Sequence, residues 1–491
     1  MVVRRNMLLR TPSLNLIISL VLFAAALAVV IPVIKRLLDA YMRAKGCENE
    51  LPFITLIVTS YDGNPLLILY NMDKTMFKYF VKECHEWKSL RKWGMGPCEA
   101  ILTSIANHPS LLYRDVMKRI IAYSRGLASP QELVRSIMSA WEEKVVKLDV
   151  HLEHLFNLLT TILLFIQPLA LSLTVLLAGD TTMTITLPYL ISALASLIAI
   201  GISTSIYPGI LKFSTKWRHL TPLFLIIPLS FVITEFFNIA LNLSLGLLII
   251  VLSTPSAIMI YRCIKEDLVA VEELLKALED TLSYAVRTGH TVSRSFVRVL
   301  KRKSFRTSPM QVFFHEMNYS IDRAFNLAID KAHSAMVRYS FEAIRLLLKY
   351  SSRIGPIRDF LRAFKDMWHL HMKARAKLGT FIPYILLMLV LYTATVVIVI
   401  EVGAWLSELT KEVYLQHGNI PLSPMEIDDT LRELVYTSTI FTCLGLSFAV
   451  GALRDGDPRC GLMYLPMFTF MVLITQALLL TLGVIDTLLG R

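Results

Sequence analysis

Eight long apolar stretches dominate the chain: 14–34, 155–178, 187–211, 220–238, 241–261, 380–400, 434–453 and 461–485. Each is close to the about 20 residues that a helix needs to cross a bilayer. Seven carry no charge, and the eighth holds only Glu235, close to its end. One water-soluble core could not bury so much apolar surface. Hydrophobic residues make up 55% of the 491 and charged residues 18%, where a soluble domain carries about 25% charged. A disordered chain would be polar and charge-rich, so disorder is excluded as well. The expectation is an all-α, polytopic membrane protein with sizeable polar portions.

The polar portions orient it. Segment 262–378 holds 22 Lys and Arg against 12 Asp and Glu, and segment 36–153 holds 16 against 14. The short link 212–219 carries Lys212, Lys216 and Arg218, whereas 179–186 and 239–240 have no basic residue. Segment 405–433 is acidic. Positive charge marks the cytoplasmic side, so both large segments and 212–219 are expected in the cytoplasm and 405–433 outside. Four spans separate the two large segments, an even number, which agrees. The net charge of +12 is thereby explained without nucleic acid. The stretch 14–34 follows Arg4, Arg5 and Arg10 as a signal-peptide core would. No A-x-A-like cleavage site follows it, so it reads as a retained anchor. Spanning there leaves three arginines outside, against the charge rule. The stretch has no polar face that would keep it in the interface.

The two large segments look like repeats of each other. Tyr123-Ser124 matches Tyr350-Ser351 at an offset of 227, and Arg135 matches Arg362 and Trp141 matches Trp368 at the same offset. Lys118 matches Arg345, and Gly63 matches Gly289 one residue out of register. Both segments read as helical. In 264–286, Leu268, Val271, Leu274, Leu275, Leu278 and Leu282 recur at helical steps, with Glu266, Glu272, Glu273, Glu279 and Asp280 on other faces. Gly289 ends that helix, and 291–303 begins another. Ser129-Pro130-Gln131-Glu132 reads as an N-cap, a proline at the first position and an acidic first turn. The short run 54–59 is β-branched but is assigned to a helix.

The order of parts resembles the F-domain platform proteins of type II secretion and type IV pilus systems, in particular the archaeal branch serving pili and the archaellum. Leu51-Pro52-Phe53 followed by Gly63, and Gly126 to Leu133, are similar to the family's short motifs. Arg287-Thr288-Gly289 opens the second copy. Ile354-Gly355-Pro356 departs from the Gly126 to Pro130 turn, and only one apolar stretch precedes the first copy. The resemblance implies an N-terminal membrane anchor over 1–35 and a first cytoplasmic helical domain over 36–153. A four-helix membrane block over 154–261, a duplicate cytoplasmic domain over 262–378 and a three-helix membrane block over 379–491 follow. It further implies a multi-pass, non-enzymatic protein of the cytoplasmic membrane beneath a growing filament. Its partners would be a hexameric secretion ATPase, pilin subunits, the lipid membrane and a second copy of itself, with no nucleic acid.

Other chemistries are poorly supplied. Asp455-Gly456-Asp457 is similar to the G-x-G-D of intramembrane aspartyl proteases, but Arg454 replaces the first glycine and no other span offers a second aspartate. A tight turn is the simpler reading. His151 and His154 share a helix face without a third ligand of matching spacing, and His315-Glu316 lacks the second histidine of H-E-x-x-H. No P-loop occurs. The six cysteines form no C-x-x-C pair and read as reduced apolar fillers. No catalytic residue, cofactor or metal is therefore expected. Transport usually leaves ionisable groups within spans; Glu235 is the sole clear case, so a transporter or channel is the alternative. Gln167-Pro168 suggests a kink in mid-span. The expected partner site is a basic helix face. Arg294, Arg298, Lys301 and Arg302 fall on one side, and Arg287, Lys303 and Arg306 extend it. A plain solvated face, lipid headgroups and an acidic partner such as the ATPase are the competing readings.

Overall fold

The computed structural model describes residues 39–481 except 62, 174–180, 207–211, 214–220, 222–224, 238–239, 352, 418–426 and 428. The expected anchor 14–34 lies outside these. The described residues are helical, and their one β-type pairing is an isolated bridge between Phe213 and Ser334.

Helix α1 (39–59) starts the first bundle and contains the β-branched run 54–59. Ile54, Thr55, Leu56, Ile57 and Val58 are all buried there, so packing overrides their weak helix propensity. Four shorter helices follow: α2 (Pro65–Tyr70), α3 (Lys78–Lys92), α4 (Pro97–Ala106) and α5 (Leu111–Ser124). Gly126 then adopts φ 74°, a left-handed conformation that costs glycine little. It turns the chain into α6 (Pro130–Thr160). The start of α6 is a full capping box, as the sequence suggests. Ser129 Oγ accepts the Glu132 N–H at 3.1 Å, and Glu132 accepts the Ser129 N–H at 3.2 Å.

Beyond Thr160 the helix does not stop. It passes through a π-helical turn, Thr161–Ile166, and continues over Gln167–Leu173. Pro168 lacks the N–H that an α-helix would give to residue 164, and the wider turn just before it absorbs that loss. Helices α7 (Thr181–Ile206) and α8 (Ile226–Phe237) follow, and then α9 (Leu241–Thr288). Helix α9 begins apolar and ends as the amphipathic helix expected over 264–286. Gly289 caps it at φ 66°.

The second bundle adds α10 (Val292–Leu300), α11 (Ser308–Glu316), α12 (Ile321–Lys331), α13 (Ala335–Tyr350) and α14 (Ile354–Gly379). Its helix order repeats that of the first. Pro65 and Val292 begin α2 and α10, 227 residues apart. The starts of α3 and α11 are 230 apart, and the remaining three pairs are each 224 apart. Helix α14 runs on into α15 (Phe381–His417), and α16 (Asp429–Asp455), a 3-10 turn (Pro458–Met463) and α17 (Leu465–Thr481) complete the order.

Among the described residues, five helical stretches are long and apolar enough to cross a membrane: Pro130–Leu173, Thr186–Ile206, Leu241–Thr288, Ile354–Thr410 and Asp429–Asp455. Among the remaining apolar stretches, the described parts of 220–238 and 461–485 form helices of 12 and 17 residues. Helix α16 is central among the apolar helices, with 78% of its apolar window buried against 28% for α7. Close backbone approach makes this packing: a Cβ on Gly451 would lie 2.1 Å from the Gly461 nitrogen.

Candidate functional site

The two bundles share one core. Phe53 of α1 meets Tyr339 of α13 and Phe364 of α14 edge-on, at 5.4 and 6.2 Å between ring centres. Trp141 of α6 stands perpendicular to His371 of α14 at 5.5 Å. Lys377 pairs with Asp149 at 2.6 Å. Glu50 is fully buried between the bundles, accepting the N–H groups of Tyr79 and Phe80 and the hydroxyl of Tyr339. Burial raises its pKa to about 7 despite those donors. Arg135 and Arg362, matched at offset 227, both line a cavity of about 970 Å³ between the starts of α6 and α14.

A second buried ionic group lies where the second bundle meets the apolar helices. Arg375 of α14 approaches Asp455 at the end of α16 to 2.7 Å, their side chains 6% and 0% exposed. The Arg375 guanidinium also lies over the Phe213 ring at 5.2 Å. Tyr464 donates to Asp455 at 3.2 Å, and Arg454 donates to the Tyr464 oxygen at 3.0 Å. The backbone joins the same point, with the Phe213 N–H on the Asp455 carbonyl and the Ala335 N–H on the Lys212 carbonyl. Asp267 of α9 accepts the N–H groups of His333 and Ser334 beside it. Asp455-Gly456-Asp457 is thus a turn, with Gly456 at φ 73°, but Asp455 also holds an ion pair. The sequence carries one hint of this. Arg375 falls in register with Phe364, Met367, Trp368, His371 and Leu378, the buried face of α14, where a cation requires a partner.

The expected basic face exists as a surface. Arg294 and Arg298 of α10 are exposed, as are Arg287, Lys301, Arg302 and Arg306, while Lys303 is half-buried. They are not equally available. Arg298 donates to Tyr284 and lies 2.8 Å from His290. Arg302 lies over the Tyr284 ring, and Lys303 pairs with Asp280.

One group has the composition of a metal site. Cys47, Glu83 and His108 are buried with their ligand atoms within 4.8 Å of one another. Its bonding does not suit a cation. Arg43 engages both Glu83 oxygens, at 2.6 and 2.9 Å. The Ser110 N–H donates to His108 Nδ1, which assigns the ring proton to Nε2, 3.9 Å from Glu83. Burial lowers the His108 pKa to about 4, so the ring is neutral. This is a buried ion-pair network. His151 and His154 are both exposed on α6, and the described residues bring them no third ligand.

Within the apolar helices, the Gln167 amide nitrogen lies within hydrogen-bond reach of the Tyr392 hydroxyl, the Ser192 hydroxyl and the Pro188 carbonyl, and Thr442 donates to Ser192. This polar knot holds α6, α7, α15 and α16 together just beyond the π-helical turn. Glu235 belongs to α8.

The fold and this junction define a class: an all-α chain whose paired helical bundles continue into helices of membrane-crossing length. Comparison with protein-family models, with curated proteins and with solved structures finds no match.

Proposed function

We propose that the chain is a multi-pass platform protein of the cytoplasmic membrane for assembly of a type IV pilus-like filament or archaellum. In this reading it has no catalytic activity. It couples a cytoplasmic secretion ATPase to pilin extraction and polymerisation, and its two bundles are duplicated cytoplasmic domains. One observation carries the reading. The same helix order occurs twice, and each time the last helix runs unbroken into an apolar stretch, over Pro130–Leu173 and Ile354–Thr410. A continuous helix of 44 residues is a rod about 65 Å long. Displacement of a bundle at one end reaches the apolar helices at the other, and the π-helical turn is the natural point of yield. The Arg375–Asp455 pair supports the same role by fixing the second bundle to the α16 turn.

A transporter or channel is the second reading, favoured by the polar knot around Gln167. Its members hydrogen-bond to one another and none of the four carries a charge at neutral pH, so it serves better as interhelical packing.

The basic face is the proposed ATPase contact. The test is Arg294→Glu/Arg298→Glu/Arg302→Glu, assayed for membrane level, ATPase copurification and surface filaments. Like charges across an interface cost several kcal/mol, so loss of ATPase and filaments at a normal membrane level is expected. Normal filaments would return these residues to an ordinary solvated or lipid-facing surface.

A further inference from the structure

Helix α7 turns two unlike faces outward and inward. Its buried face, Ser192, Ala195, Ser196, Ala199 and Ser203, is made of small residues and lies against α16, where Thr442 donates to Ser192 at 2.7 Å. The other face carries Leu190, Ala193, Leu194, Leu197 and Ile198, all exposed and aligned in one stripe at three- and four-residue steps. Leu190, Leu194 and Leu197 are 59%, 51% and 67% exposed. Lipid tails are as apolar as leucine, so exposure alone assigns no neighbour to such a stripe. The course of the chain does. Lys45 of α1 donates to the carbonyls of Thr204 and Ser205 at the end of α7, at 2.6 and 3.2 Å. Tyr41 and Met42, one turn earlier, wall a cavity of about 450 Å³ together with Thr204 and Lys212. The first turns of α1 therefore stand at the foot of the stripe.

The apolar stretch 14–34 ends just before that point in sequence. The five steps from residue 34 to residue 39 reach at most about 18 Å, and the helix from 39 to 41 adds about 3 Å. Residue 34 is thus held within about two helix diameters of Tyr41. So short a connection keeps 14–34 beside α7 at an effective concentration on the order of millimolar, which no free helix in a membrane shares. Its side chains suit the stripe. Ala24, Ala25, Ala26 and Ala28 form a small-residue surface on which the leucines of a second helix pack closely. We propose that the exposed stripe of α7 is the seat of the chain's own apolar segment 14–34. Ala24 and Ala28 lie eleven and seven residues before Lys35, the first charge after the stretch, and Leu194 and Ile198 lie eleven and seven before Ser205. With Lys35 and Ser205 both at the bundle-side surface, Ala24 meets Leu194 and Ala28 meets Ile198. Helix α1 then has two links to α7, the Lys45 cap and the packed segment, so that movement of the first bundle reaches α7 as well as α6. The inference rests on the connection between α1 and α7 and is independent of the platform reading.

Cysteine cross-linking of the full-length chain in its native membrane tests this. Ala24→Cys/Leu194→Cys and Ala28→Cys/Ile198→Cys are oxidised with copper phenanthroline, and the four single variants serve as blanks for the six native cysteines. Ala24→Cys/Val251→Cys is the control, because Val251 is 65% exposed and lies midway along the apolar start of α9. A protease site inserted in the exposed turn 93–96 lets one cut separate 14–34 from α7 unless the two are linked. The expected result is that the cut fragments stay together, reducibly and at the mass of one chain, at least tenfold more in both test pairs than in the control. Three results would each overturn the inference. No link in either pair leaves the stripe to lipid or to a helix of another protein. A link found only at the mass of two chains seats the segment of a second copy there. Equal linkage in the control marks random collision. Matching thermal transitions establish that the variants are folded; where one pair shifts the transition, Ala28→Cys/Leu197→Cys takes its place and is read by the same criteria.

Discussion

Removing one partner of the Arg375–Asp455 pair should destabilise the protein far more than removing both. The two side chains meet at 2.7 Å with almost no exposure, and each has few alternatives. Asp455→Leu leaves the Arg375 charge over Phe213 without its carboxylate. Arg375→Met leaves the Asp455 carboxylate with Arg454 and Tyr464 as its remaining neighbours. Breaking a buried pair in this way costs about 3–5 kcal/mol, whereas replacing both members with apolar residues of similar volume is often neutral. The double variant Arg375→Met/Asp455→Leu should therefore recover most of the loss. A coupling of about 3 kcal/mol or more is expected from the double-mutant cycle. The protein carries its own reporters, since Cys443 and Cys460 are fully buried and react with a fluorogenic thiol dye only on opening. At about 1 °C per kcal/mol for a chain of 491 residues, each single variant should unfold about 3–5 °C below the parent and the double variant near it. Single variants within about 2 °C of the parent, or losses that simply add in the double variant, would refute the reasoning.

Three further outcomes follow from the packing. Ser129→Ala removes one half of the capping box of α6 and should cost about 1 kcal/mol, read as a lower thermal transition; Ser129→Asp should retain most of the stability. The Glu50 carboxyl titrates near 4.5 when unfolded and near 7 when folded. The folded state then keeps a proton that the unfolded state releases, so stability falls as pH rises from about 4.5 to about 7. The loss is about 3 kcal/mol, and Glu50→Gln should flatten the difference in a denaturation series over that range. Gly451→Val places a side chain against the Gly461 backbone and should lower the amount of folded protein in the membrane by prising α16 from the turn before α17. Gly201→Ala, which meets open space, should not.

Much of this architecture was legible where local chemistry decides it. The cap at Ser129-Pro130, the apolar stripe from Leu268 to Leu282 and the stop at Gly289 are each set by neighbours in sequence. So is the exposed face of α10. What remained hidden depends on distance or on continuity. The apolar stretch 155–178 starts inside a helix that began at Pro130, and no glycine or proline marks the crossing. Only the hydrophobic pattern changes there, from one stripe to all faces. Asp455 reads as a turn residue because its partner Arg375 lies far back in the chain. Cys47, Glu83 and His108 lie too far apart in sequence to suggest a group.

Affinity purification of the full-length chain from its native membrane, with quantitative mass spectrometry of what accompanies it, tests the platform claim most directly. The account predicts that a secretion-type ATPase and small proteins with a single N-terminal hydrophobic helix are enriched together, and that the ATPase is lost from the Arg294→Glu/Arg298→Glu/Arg302→Glu variant. A preparation that retains the intact protein yet enriches neither, from cells whose surface filaments also survive deletion of the chain, would contradict it.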